Sequence, residues 1–117
     1  MKYLIGVLAF FIFSCAEKDT IPKDVLKPVI MQKVTWDMLQ ADELATQNKN
    51  ADSTINLKNE SFRLYEQVFA VHKTTRDQYY KSYKYYQQHP SLYKNMMDGV
   101  RKIGEQKKKA TTITSPK

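Results

Sequence analysis

The sequence is poor in the residue types on which most catalytic and metal sites depend. It has one cysteine, two histidines, three glycines and four prolines among 117 residues. A single cysteine excludes an intrachain disulfide framework and a multi-cysteine zinc site. So few glycines leave little room for a glycine-rich phosphate loop, and no Ser-His-Asp order, HExxH or paired-carboxylate motif is present. We therefore expect no cofactor, no metal and no enzymatic activity.

The longest apolar run lies at the N-terminus, from Leu4 to Phe13, and only Gly6 interrupts it. A helix that spans a bilayer needs about 20 apolar residues, so this run is too short to serve as a permanent anchor. Lys2 places a positive charge in front of it. A short apolar run behind a basic residue is typical of a secretory signal peptide. We assign residues 1–14 to a signal peptide that is removed.

The only cysteine, Cys15, stands where the apolar run stops. Ile12, Phe13 and Ser14 precede it, and this order resembles the bacterial lipobox. In lipoproteins of that type the cysteine is acylated with diacylglycerol, and the bond before it, here between Ser14 and Cys15, is cut. An ordinary buried cysteine is the alternative, but the position at the end of the run favours lipidation.

The lipidated cysteine would begin a short polar tether, residues 15–20. Ala16 follows the cysteine in place of the aspartate that retains lipoproteins in the inner membrane of enterobacteria. The sequence therefore predicts a lipid-anchored protein of the cell envelope, at the outer membrane, facing the periplasm or the surface.

Beyond the tether the periodicity is helical, and no alternating strand pattern occurs. We predict an all-α bundle of three to four helices over residues 21–104. The first helical pattern runs from Ile21 to about Thr46. Pro28 is tolerated only near the first turn of a helix, so the regular helix begins at Lys27 at the latest. Because its apolar residues fall on most sides, we expect several neighbours to cover it. Residues 47–56 are predicted to be a loop, and the basic residues 105–117 a disordered tail.

The second helix is predicted from about Leu57 to His72, and the third from Thr75 to about Gln88. Thr75 and Gln78 form a capping-box pattern, in which the hydroxyl and the amide satisfy free backbone donors.

The two histidines are placed at predicted helix ends. There, His72 and His89 are expected to cap the last carbonyl groups and to interact favourably with the helix dipole. Pro90 suits the first position of the fourth helix, and Gly99 within that helix allows close approach of a neighbour.

Asp37 is the one acidic residue for which the register predicts a partner. At 100° per residue it shares a stripe of the first helix with Leu26, Ile30, Ala41 and Leu44. A carboxylate buried there without a partner would be costly. We predict that Asp37 accepts a hydrogen bond from a Tyr or Ser hydroxyl, or from a His, of a later helix, in a structural role.

A series of residues along the chain resembles the sequence pattern of a known protein family. It comprises Pro22-Lys23-Asp24; Asp37, Ala41 and Asp42; Tyr65, Val68 and His72; and Thr75 to Pro90 with Tyr79, Ser82, Tyr83, Tyr85, Tyr86 and His89. The chain is similar over about Ile21 to Ile103 to the small lipoproteins of Bacteroidota in domain-of-unknown-function family 4296. The last stretch resembles the pattern T…F..SL.YY..HP of that family, with Tyr79 for the common Phe and Tyr83 for the common Leu. The resemblance implies a lipid-anchored, all-helical protein and carries no reaction.

The basic balance, +7 at neutral pH, and the many tyrosines also suit a nucleic-acid binder. However, Tyr79, Tyr83 and Tyr86 have the spacing of core residues, and an exported protein does not meet cytoplasmic nucleic acid. We expect no nucleic-acid partner. The Lys107-Lys108-Lys109 run instead suits anionic head groups of a membrane.

The leading hypothesis is a non-enzymatic accessory or binding subunit that contacts another envelope protein. The alternative is a lipid or cell-wall ligand binder that uses aromatic residues between helices as a pocket, and a small hydrolase comes third. Thr20 and Ser53 each follow an aspartate in tripeptides that resemble the O-glycosylation signal of Bacteroidota.

Overall fold

The computed structural model describes residues 20–114, with the last two as backbone only. The predicted signal peptide, the cleavage site at Ser14 and the lipidation site at Cys15 lie outside these residues, and so does the end of the predicted tail. The described part forms four α-helices: α1 (Pro28–Ala51), α2 (Leu57–Val71), α3 (Arg76–Gln87) and α4 (Pro90–Thr114). The predicted all-α class is confirmed. No helix within residues 20–114 combines the length and the apolarity needed to cross a membrane.

The starts of α3 and α4 follow the sequence signals. The Thr75 hydroxyl accepts a hydrogen bond from the Gln78 N–H at 3.1 Å, as the capping box predicted, and α4 begins at Pro90. The other half of the box is not formed as predicted. The Gln78 side-chain oxygen accepts from the Thr74 hydroxyl at 2.9 Å instead.

Two helices run further than predicted. The α1 helix continues to Ala51, so the loop of 47–56 shrinks to 52–56. Its last turn is held in place because Asn48 donates to the Glu60 carboxylate of α2 at 2.8 Å and Lys49 donates to the Ser53 carbonyl at 2.5 Å. The α4 helix continues past Gly104 to Thr114, where disorder was predicted. Residues 105–110 are Glu, Gln, Lys and Ala, all good helix formers.

The α1 helix is the centre of the bundle and packs mainly on α2 and α4. One face of it is buried: Met31, Val34, Thr35, Met38, Ala41 and Ala45. The opposite face is open, and this corrects the prediction that neighbours cover α1 on most sides. Val29 is 59% exposed and Leu39 is 47% exposed. Ile30 and Leu44, predicted to share a buried stripe with Asp37, are also exposed, because the buried stripe lies about a quarter turn away from them.

The core consists of one large and one small cluster of buried residues. The main cluster includes Phe69, Tyr79, Tyr86, Met96 and Val100, so it draws on α2, α3 and α4 as well as α1. The second cluster has only Ala41, Ala45 and Leu64 as buried members, all from α1 and α2. The C-terminal half of α1 and the N-terminal half of α2 therefore form a two-helix extension, here called the α1–α2 arm.

The segment before α1 is attached to α3 through the backbone of Leu26. The Ser82 hydroxyl accepts from the Leu26 N–H, and the Tyr86 hydroxyl donates to the Leu26 carbonyl, each at 2.9 Å. Ser82 and Tyr86 are both fully buried. A buried backbone donor and acceptor outside a helix must find partners, and α3 supplies both for Leu26.

Candidate functional site

Asp37 and His72 meet where α1 passes the end of α2. His72 is the C-cap of α2, and Lys73 after it has a positive φ of 53°, which turns the chain away. The His72 ring Nε2 donates to the Asp37 Oδ2 at 2.6 Å. Asp37 thus has a partner of the kind that its register predicted, although the ring of His72 does not cap the carbonyl groups of α2.

His89 has the capping geometry that the sequence predicted for both histidines. Its ring Nδ1 donates to the Tyr85 carbonyl at 2.7 Å, and the ring stacks on that of Tyr85 with 4.1 Å between the centroids. The two histidines therefore have different roles. The His89 ring caps the helix that precedes it, α3, and the His72 ring links α2 to α1.

An open groove of about 290 Å³ lies beside Asp37, between α1 and α2. Its floor is Ala41, Leu64 and Val68, and its other lining residues are Gln40, Leu44, Gln67 and Val71. Leu44 is 45% exposed and Val71 is 75% exposed. Apart from Asp37 at one end, the groove is lined by apolar and uncharged residues, so it offers an apolar surface of about two helical turns.

A second cleft, of about 260 Å³, lies between α1 and α4. Lys33, Trp36, Asp37, His72, Ile103 and Lys107 line it. Gly104 allows the Trp36 ring to lie against α4, because a Cβ atom at that position would be 2.7 Å from the ring. The indole Nε1 of Trp36 is buried and has no acceptor among the described residues.

Tyrosines of α3 border a third groove. A groove of about 200 Å³ is bordered by Tyr79, Tyr80 and Tyr83 of α3, together with residues of α1 and α4. The hydroxyl of buried Tyr79 pairs with that of Thr35 at 3.0 Å. A hydrogen bond with Tyr93, together with burial, raises the pKa of Tyr83 to about 12.

Tyr65 shows the same preference for a neutral phenol. Burial, and next a hydrogen bond to the Asp42 carboxylate, raise the pKa of its hydroxyl well above the usual value. These tyrosines are neutral hydrogen-bonding groups at ordinary pH, and they fasten the helices to one another.

The remaining predicted site residues are at the surface. Ser53 is exposed in the turn between α1 and α2, where Asp52 Oδ1 accepts from both the N–H and the hydroxyl of Thr54. Thr20 is exposed at the start of the described residues. Within residues 20–114 no group of three or more His, Cys, Asp or Glu side chains is placed to hold a metal.

Sequence reasoning missed the α1–α4 cleft. Lys33, Trp36 and Lys107 come together only when α4 folds back along α1, and no spacing within one helix indicates this. The available signal was that the chain has a single tryptophan and a glycine in α4 able to receive it.

Comparison with known proteins adds a family. No curated protein and no solved structure gives a significant match to the chain. A family model matches residues 22–110, which is most of the chain and all but the last turn of the described bundle. The chain belongs to the family described as Domain of unknown function (DUF4296).

Proposed function

We propose that this protein is a lipid-anchored lipoprotein of the bacterial cell envelope, of the Bacteroidota type, and that it acts as a non-enzymatic binding subunit. In this proposal Cys15 carries the lipid and the helical domain contacts another envelope protein. The lipobox-like residues before Cys15 and the short apolar run support the anchor. The open apolar groove between α1 and α2 supports the binding role.

The single observation that carries the binding role is the open apolar groove between α1 and α2. Two packed helices have only one interface in which to bury apolar side chains, and here that interface is thin, with Ala41, Ala45 and Leu64 at its centre. Leu44 and Val71 extend from the two helices into solvent on the same side. Contiguous exposed apolar surface with a polar rim is typical of an interaction site.

The occupant that fits this groove is an amphipathic helix of a partner protein. Grooves between two helices accept a third helix through apolar anchors spaced at i, i+3, i+4 and i+7. Ala41 in the floor permits close approach of such a helix, and Gln40 and Gln67 offer hydrogen bonds at the rim without imposing a charge. Binding would add a third helix against α1 and α2 and bury Leu44 and Val71.

Site-specific photo-crosslinking in the native host tests this role. A photoreactive residue at Leu44 or at Val71 should crosslink to the same partner, whereas one at the exposed Gln87 of α3 should not. In affinity purification from solubilised membranes, Leu44→Asp should lose the partner and Gln47→Asp, on the solvent side of α1, should keep it. Recovery of the protein alone in several detergents, with no crosslink from either groove position, would contradict the proposal.

The second candidate is a lipid or cell-wall ligand binder, and the tyrosine-lined groove between α1, α3 and α4 favours it. Aromatic side chains with a few polar groups are common in ligand sites. Native mass spectrometry of protein released gently from membranes distinguishes the two candidates. A bound small molecule would favour the ligand binder, and a bound protein would favour the subunit.

A further inference from the structure

The cleft between α1 and α4 has more hydrogen-bond donors than acceptors. Lys33 and Lys107 lie on its two sides, on α1 and α4, and both residues are exposed. Neither lysine forms an ion pair within the described residues, unlike Lys81 with Asp24 or Lys94 with Asp98. The one carboxylate in the lining, Asp37, already accepts from His72. The two lysines of the cleft are therefore donors that could pair with an acceptor from outside the chain.

The tryptophan at the wall adds an apolar requirement. The indole ring and Ile103 make part of the lining apolar. A ligand that satisfies the cleft would therefore join an anionic, oxygen-rich group to a hydrocarbon portion.

We propose that this cleft binds a phosphate group, as carried by the head group of an anionic phospholipid. Lysine ammonium groups are common phosphate ligands, and here they approach from two different helices, so that a phosphate would bridge α1 and α4. The volume of about 260 Å³ suits a head group and the first carbons of its chains, but not a whole lipid. Inorganic phosphate shares the charged part of this chemistry and lacks the apolar part. The site adjoins the α1–α2 groove, with which it shares Asp37, but it does not require the partner proposed for that groove.

The location of the only tryptophan makes the site directly observable, since the fluorescence of the full chain reports on the cleft. The full chain in a neutral detergent is titrated with a short-chain phosphatidic acid, with the phosphatidylcholine of the same chain length, and with inorganic phosphate. The thermal unfolding midpoint is followed in parallel. We expect a saturable change with phosphatidic acid, a much weaker one with inorganic phosphate, and none with phosphatidylcholine.

A matched pair of variants separates the cleft from general electrostatics. Lys33→Gln combined with Lys107→Gln should weaken phosphatidic acid binding by about tenfold or more, because each charged hydrogen bond contributes substantially. Lys58→Gln combined with Lys84→Gln removes the same charge from exposed positions on α2 and α3 and should leave binding unchanged. None of the four substitutions touches a buried residue.

Each other result counts against the proposal. Equal binding of inorganic phosphate and phosphatidic acid would remove the lipid and leave free phosphate as the ligand. Equal responses to phosphatidylcholine and phosphatidic acid would show simple partition into lipid. An equal loss in both pairs of variants would show diffuse attraction to a basic surface, and no change in fluorescence or unfolding midpoint would exclude the site.

Discussion

Asp37 and His72 are 35 positions apart in sequence, and a 2.6 Å hydrogen bond between their side chains joins the middle of α1 to the end of α2. The contact is partly shielded from water, with the His72 side chain 17% exposed and that of Asp37 37% exposed. It lies where the α1–α2 groove and the α1–α4 cleft meet, since Asp37 lines both. Loss of this one bond is therefore expected to loosen the walls of both surfaces.

A double-mutant cycle measures the strength of this link. Asp37→Ala, His72→Ala and the double variant should give a coupling free energy of about 1 kcal/mol or more in urea unfolding, the usual range for a partly shielded bond to a charged group. The exposed pair Lys94 and Asp98 is the control, with an expected coupling of roughly 0.3–0.5 kcal/mol. Equal coupling in the two cycles would show that Asp37 and His72 are an ordinary surface contact.

Stability should fall at alkaline pH because of the buried tyrosines. Burial raises the pKa of Tyr86 to about 12 from an ordinary value of 10.0. Between these two values the unfolded chain loses the proton while the folded chain keeps it. The stabilisation is therefore complete below pH 10 and is lost as the pH rises towards 12. The fall should be about 1.4 kcal/mol per pH unit for each tyrosine that behaves in this way.

Urea unfolding at a series of pH values, with tyrosinate absorbance as a second signal, checks this dependence. Tyr86→Phe should reduce the slope above pH 10, and it should also lower stability at neutral pH because the Leu26 carbonyl loses its donor. Tyr80→Phe, which removes the hydroxyl of an exposed tyrosine, is the control. An unchanged slope in Tyr86→Phe would show that the alkaline loss has another origin.

The two glycines of α4 should respond to alanine with opposite signs. At Gly99 a Cβ atom would meet only the end of the flexible Gln32 side chain, 2.2 Å away, which can move aside. Gly99→Ala should therefore gain up to about 1 kcal/mol from helix propensity. At Gly104 the obstacle is the rigid Trp36 ring at 2.7 Å. Gly104→Ala should cost about 1–3 kcal/mol from overpacking, less the propensity gain.

Thermal unfolding measures both glycine variants, and Trp36 fluorescence gives an independent reading. The emission should change in Gly104→Ala and stay the same in Gly99→Ala. A stabilised Gly104→Ala with unchanged emission would mean that α4 is free to move away from Trp36.

Lipidation is tested at the single cysteine. Cys15→Ser should abolish metabolic labelling with a fatty-acid analogue and let the uncleaved precursor accumulate, because the thiol is the proposed acylation site. The variant should still fold, since the described core of residues 20–114 is formed without that thiol. Equal labelling of wild type and variant, or no labelling of the wild type, would contradict the proposed anchor.

The helical class and the starts of the later helices could be predicted because local signals fix them. Pro90 and the Thr75 hydroxyl act within one turn of chain, so the sequence alone is sufficient. The end of α1 could not be predicted, because its polar last turn is held by Glu60 on the next helix. The partner of Asp37 was predictable only as a class of side chain, since the register gives a direction but no distance.

The candidate surfaces were less predictable than the fold. Apolar residues on most sides of α1 predicted that several neighbours cover it, yet residues 20–114 contain no further helix for the side that carries Leu44. The periodicity of one helix shows which side chains are apolar but does not show how many neighbours are present. Likewise, the lysines of the α1–α4 cleft are 74 positions apart, and the packing of α4 on α1, with Trp36 against Gly104, brings their helices together.

The attachment of Leu26 to α3 has a mechanical consequence. If the protein hangs from a lipid at its N-terminus, any pull on the domain enters the fold at the segment before α1. There the Leu26 N–H donates to the Ser82 hydroxyl, and the Leu26 carbonyl accepts from the Tyr86 hydroxyl. The pulling force is then transmitted directly to α3 as well as along α1. The tether therefore does not unfold α1 turn by turn from its N-terminus. A pulling force exerted through a bound partner would then be distributed over the whole bundle.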